Sequence, residues 1–117
     1  MVMEIIPRSI RMYQTKSGDR PFGKWIKSLK DLRGRRAIEA RIDRLAEGNF
    51  GDHKSIGDGV TEIRIHYGPG YRIYIALQGD SVLVLLVGGD KGTQNDDIIR
   101  AKTYWNDYKN RILPNIS

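Results

Sequence analysis

The stretch Val82–Gly89, "VLVLLVGG", constrains the fold of this chain more than any other. Six consecutive apolar residues leave no polar side for water. As a strand it belongs inside a sheet, with both faces covered. Two glycines and "DKGT" end it, and a helical pattern follows at once. At 117 residues the chain is expected to form one domain over 1–117 with a single modest core.

The segments before it alternate. In "TEIRIHY", Ile63, Ile65 and Tyr67 alternate with Glu62, Arg64 and His66; in "YRIYIAL", Ile73, Ile75 and Leu77 alternate with Arg72, Tyr74 and Ala76. A three-residue loop, Gly68-Pro69-Gly70, sets His66 opposite Arg72, Ile65 opposite Ile73, Arg64 opposite Tyr74 and Ile63 opposite Ile75. Opposite residues share a sheet face, so the isoleucines fall on one side and His66, Arg64, Arg72 and Tyr74 on the other. A two-residue loop would mix the two sets.

The remaining pattern is helical apart from one strand. "SIRMYQT" alternates Ile10 and Met12 against Arg11 and Tyr13 and predicts a first strand. Pro21 suits a helix start, and Phe22, Trp25, Ile26 and Leu29 form one stripe. "DLRGRRAIEARIDRLAEGN" predicts a second helix through Ile38, Ile42 and Leu45, with Gly34 separating the two or loosening the start of the second. Its charges read as a solvated face laced with local ion pairs. "GDHKSIGDG" (51–59) reads as a loop. Thr93 is expected to cap a final helix with Asp96 and Asp97 in its first turn. The order β-α-α-β-β-β-α implies an α+β domain, a small antiparallel sheet with two N-terminal helices and a C-terminal helix covering one face.

Charge directs the functional reading. Twenty Lys and Arg against 14 Asp and Glu leave +6, which points to polyanionic partners. The absence of cysteine excludes disulfides and thiolate chemistry. The amino terminus lacks a signal-peptide h-region and "VLVLLV" is too short to span a bilayer, so a soluble cytoplasmic protein without a membrane role is expected. Two histidines without metal-ligand spacing predict no metal site, and no serine elbow is present. The basic sheet face has two readings. It can be an ordinary solvated side of an antiparallel sheet, or a phosphate site. In the second, Arg72 offers a fork, Tyr74 a stacking surface, and Lys91 follows a double glycine where backbone can approach a ligand.

"GVTEIRIHYGPGYRIYI" followed by "LLVGGDKGTQNDDIIRAK" resembles the RelE/ParE superfamily of type II toxins, closest to its HigB-like addiction-module killer branch. "FGKWIKSLKD" and "ARIDRLAEGNFGDHKSIGDGVTEIR" fit that branch in the same order, so the resemblance covers nearly the whole chain. It implies a ribosome-dependent mRNA endoribonuclease without cofactor or metal, partnered by the ribosome, mRNA and a helix-turn-helix, HigA-like antitoxin. By resemblance the catalytic set is Arg72, Lys91, His53 and Lys54, with Arg64, Tyr74, His66 and Gln94 as RNA contacts. Related nucleases carry a tyrosine or histidine where this chain has Asp90-Lys91-Gly92. ParE-like members of the same fold poison DNA gyrase, and a member retaining only antitoxin binding is a third reading.

Overall fold

The computed structural model describes residues 7–113; the stretch 1–6, read above for a leader, lies outside them. The elements are β1 (Ser9–Met12), α1 (Pro21–Ser28), α2 (Leu32–Ala46), β2 (His53–Gly57), β3 (Val60–Ile65), β4 (Tyr71–Gln78), β5 (Val82–Gly89), a 3₁₀ turn (Lys91–Thr93) and α3 (Gln94–Ile112). The sheet order is β1-β5-β4-β3-β2. The fold is α+β, and three expectations need correction. Residues His53–Gly57, expected in a loop, form an edge strand paired with β3. The sheet is mixed, because β1 runs parallel to β5. The helices also cover both faces: α1 and α2 pack over Ile63, Ile65, Ile73, Ile75, Leu83 and Leu85, while α3 packs over Val60, Tyr74, Ala76, Val84, Leu86 and Val87.

The apolar run of β5 explains the last point. A strand without a polar side exposes about 25 cal/mol of unfavourable free energy per Å² wherever a face is left open. Only helices on both sides remove that cost. Residues 83–89 are all buried.

The β3–β4 hairpin keeps its two faces but not its expected register. Ile63 lies opposite Ile73, Arg64 opposite Arg72 and Glu62 opposite Tyr74. Each pairing has moved by two residues, so the connection is 66–70 rather than Gly68–Gly70. A shift of two preserves every side chain's face, which is why the alternation survives. Gly68 and Gly70 have positive φ (57° and 80°), and Gly70 N–H donates to Tyr67 O (3.1 Å) to close the turn.

A bulge re-aims the end of β5. Tyr74 pairs with Val87 while Ile75 pairs with Leu85, leaving Leu86 as the extra residue. Leu86 and Val87 therefore both face α3, and the alternation beyond them is inverted. Gly88 comes to lie under Trp25, where a Cβ would stand 2.2 Å from Cε3, and Gly89 under Asp97, at 1.8 Å from Oδ2. The double glycine thus makes room for the protein's own side chains. That corrects the expectation of a backbone held open to a ligand.

Smaller corrections follow the same logic. Tyr13 faces the α3 core, stacked on Tyr104 at 4.8 Å, whereas Ile10 and Met12 are exposed on the outer strand. Its hydroxyl donates to Asp107 (2.6 Å), and burial together with that bond raises its pKa to about 12. Gly34 lies inside α2, because a Cβ there would meet Tyr71 Cε2 at 2.7 Å. The helices separate at Asp31, whose carboxylate accepts from Gly34 N–H (3.0 Å). Thr93 makes no cap bond to α3; Asp90 caps the preceding 3₁₀ turn instead, accepting from Gly92 N–H (2.8 Å). The ion pairs expected along α2 do not form among the described residues.

Candidate functional site

One buried carboxylate organises the α3 side of the sheet where β4 begins and β5 ends. Glu62 is 1% exposed. It accepts from Arg64 Nε at Oε1 (3.0 Å) and from Tyr74 OH (2.9 Å) and Gln94 Nε2 (3.0 Å) at Oε2. Arg72 Nε stands 3.8 Å from Oε2. Burial pushes this carboxyl up, but the bonds from Gln94, Arg64 and Tyr74 and the charge of Arg72 outweigh it and hold it below its ordinary value. Glu62 is therefore an anion at neutral pH, with two guanidinium groups on it.

Those guanidinium groups are cross-strand neighbours, Arg64 on β3 and Arg72 on β4. Like charges directly opposite are unfavourable on a sheet, and Glu62 offsets the repulsion. Arg72 is braced a second time, since its Nη1 donates to Gly70 O (2.9 Å). Its buried Nε has no hydrogen-bond partner among the described residues. Gly70 separates Arg72 from Lys91: a Cβ there would lie 3.5 Å from Arg72 Nη1 and 3.8 Å from Lys91 Cβ. Lys91 is exposed, and beside it a shallow hollow of about 270 Å³ is lined by Lys91, Gly92, Thr93, Gln94 and Asn95.

The other residues singled out in the sequence divide by face. Lys54 on β2 pairs with Glu62 and so belongs to the same face. His66 just beyond β3 is exposed, and its Nε2 donates to Asp52 Oδ2 (2.6 Å), leaving Nδ1 without a partner among the described residues. His53 pairs with Ile63 and lies on the opposite face, edge-on to Phe50 at 5.6 Å. Five of the eight thus meet around Glu62 or pair directly with it, namely Arg64, Arg72, Tyr74, Gln94 and Lys54.

Tyr74 requires a correction. It is fully buried beneath α3, so its ring offers no stacking surface, and its hydroxyl serves Glu62. Burial and the neighbouring carboxylate raise its pKa strongly, so the phenol stays a donor. The residues missed in the sequence are Glu62 and Asp52. Glu62 read only as one polar position of an alternating strand; its signal is a carboxylate two residues from an arginine on the face predicted to be basic. Asp52 carried no such signal, because its segment read as a loop.

A larger hollow of about 500 Å³ runs along β1 and the end of α3. None of its lining residues is a carboxylate or histidine, so it lacks proton-transfer groups. The Glu62 cluster is the stronger candidate. It presents a rigid cationic pair to solvent, a third cation on an exposed turn, and an imidazole held by a carboxylate. Such a set suits a phosphodiester, because guanidinium forks match phosphate oxygens and the imidazole can accept a proton.

Known proteins share this sequence. A protein of Haemophilus influenzae described as uncharacterized is 52% identical over 81 residues, which cover 69% of this chain and 82% of that protein. The profile of the family described as "Phage derived protein Gp49-like (DUF891)" matches residues 24–109, from α1 through most of α3 and including every member of the Glu62 cluster. The chain belongs to this Gp49-like family of phage-derived proteins, a RelE-like family associated with toxin–antitoxin systems.

Proposed function

We propose that this protein is the toxin of a type II toxin–antitoxin pair, of the HigB-like kind, and that it cuts mRNA on the ribosome. The carrying observation is the Arg64–Arg72 pair anchored on buried Glu62 beside exposed Lys91. In this reading a ribose O2′ attacks the adjacent phosphorus, the P–O5′ bond breaks, and a 2′,3′-cyclic phosphate and a 5′-hydroxyl result. Arg72, with Arg64 beside it, stabilises the charge that develops on the phosphorane oxygens. His66 Nδ1 takes the 2′ proton, and the Lys91 ammonium gives a proton to the departing O5′. Lys54 contacts the RNA backbone. His53, on the opposite face, has no part. A helix-turn-helix antitoxin of the HigA-like kind neutralises the toxin by covering the cluster or blocking ribosome entry.

The test is short induction in bacteria without antitoxin, followed by mapping of mRNA 5′ ends, with Arg72→Ala as control. New ends within translated frames that vanish in Arg72→Ala support the nuclease. Growth arrest without new ends refutes it in favour of a ParE-like action on gyrase. Absence of arrest leaves antitoxin binding as the function.

A further inference from the structure

The start of α2 breaks a local rule three times. Its first turns carry Arg33, Arg35 and Arg36 and no acidic residue, although a helix N-terminus is the positive end of the macrodipole. Arg33 and Arg36 are exposed, and among the described residues none of the three makes an ion pair. The one carboxylate at this end, Asp31, is committed elsewhere: it accepts from Gly34 N–H and from Tyr71 OH, each at 3.0 Å. Cations placed against the dipole with no compensating contact mark a surface kept for a ligand.

An exposed aromatic lies beside them. The 66–70 turn packs against the α2 start, where a Cβ on Gly68 would stand 3.5 Å from Asp31 Oδ2. Tyr67 in that turn is 38% exposed, and its carbonyl is fixed by Gly70 N–H. On the other side of the same turn, Arg72 Nη1 is bonded to Gly70 O. The turn therefore separates two cationic groups and carries an aromatic between them. Alternating cations and aromatics are how proteins hold single-stranded nucleic acid.

We propose that a single RNA strand crosses this turn, with one base stacked on Tyr67 and the adjoining phosphates held by Arg33 and Arg36. This rests on the reading of the Arg72 cluster as an RNA site, and it adds a nucleotide subsite on the α2 side. The test is fluorescence anisotropy of the whole protein with a ten-nucleotide 2′-O-methyl RNA, which has no 2′-hydroxyl and cannot be cut. Tyr67→Ala is expected to weaken binding about 5- to 100-fold, and Tyr67→Phe to stay within about twofold of the native protein. Arg33→Ala with Arg36→Ala should reduce the slope of log K against log salt by about 1.4. Arg44→Ala, about two turns further along α2, should change neither quantity.

The Arg33→Ala, Arg36→Ala variant should melt at the native temperature or above, since it removes cations from the positive end of a helix. A lower melting temperature makes these arginines structural and overturns the proposal. So does an unchanged affinity in Tyr67→Ala, or failure of the native protein to bind the RNA. Unchanged RNA binding alongside weakened antitoxin binding assigns the patch to a protein partner and also overturns it. Binding through Tyr67 without message cutting refutes the nuclease alone. Cutting with full Tyr67→Ala affinity refutes the subsite alone.

Discussion

At the scale of single residues, Glu62 carries the most consequence. Its removal leaves Arg64 and Arg72 facing each other and strands the Tyr74 hydroxyl in the α3 core. Breaking a buried pair in this way costs about 3–5 kcal/mol, so Glu62→Ala should lose that much in urea unfolding at neutral pH. The pH dependence has two limbs of known sign. Glu62 titrates below its unfolded value in the folded protein, so its contribution is present above the unfolded pKa and is lost as pH falls through the folded one. Asp97 is buried, which raises its pKa more than Thr93 and Arg100 lower it, so stability falls as pH rises from its unfolded to its folded value. Stability should therefore peak on the weakly acid side of neutrality. Glu62→Gln should flatten the acid limb and Asp97→Asn the other, as measured by urea midpoints across pH. For activity, Arg72→Ala should lower cutting about 10²- to 10³-fold, and Arg72→Lys should recover little, since an ammonium lacks the planar fork that Glu62 and Gly70 hold in place.

At the scale of elements, glycines decide how the layers meet. Gly34→Ala gains about 1 kcal/mol of helix propensity but drives a Cβ into Tyr71 and the Asp31 cap. Overpacking typically costs about 1–3 kcal/mol, so the collision wins and the thermal midpoint should fall. Gly88→Ala should cost at least as much, because the face of Trp25 stands in the way, and a shift in tryptophan fluorescence would report the displacement. Neither role could be read from the sequence. Gly34 looked like a helix boundary, and Gly88-Gly89 looked like an opening for a ligand. Existence and type of α1, α2, α3, β3, β4 and β5 were legible, because each carries a periodic apolar pattern over at least seven residues. β2 was not, since Ile56 is its one apolar side chain and its pairing with β3 comes from long-range hydrogen bonds.

At the scale of the whole molecule, one sheet is shared by two cores. Trp25 belongs to the α1–α2 side and Trp105 to the α3 side. Losing either layer exposes a face of β5, which has no polar side, so the two cores should unfold together. Variants retaining a single tryptophan, Trp25→Phe and Trp105→Phe, should give coincident midpoints in denaturant fluorescence. Separate midpoints would show that α3 detaches first. The net charge of +6 fits a protein that meets polyanions, and its distribution is more specific than its sum. Arg64, Arg72 and Lys91 gather on the α3 side of the sheet end, and Arg33 and Arg36 stand across the 66–70 turn from them.

The sequence by itself determined the helix and strand patterns, the separation of isoleucines from basic residues across β3 and β4, and the need to cover β5 twice. These depend on period and polarity, which local residues carry. Tertiary structure alone decided the two-residue shift of the hairpin, the bulge at Leu86, the placement of α3 opposite α1 and α2, and the burial of Tyr74 on Glu62. A shift of two leaves the alternation unchanged, and a bulge inside a wholly apolar run alters no polarity pattern. Nothing local distinguishes such alternatives; packing between distant elements selects one of them.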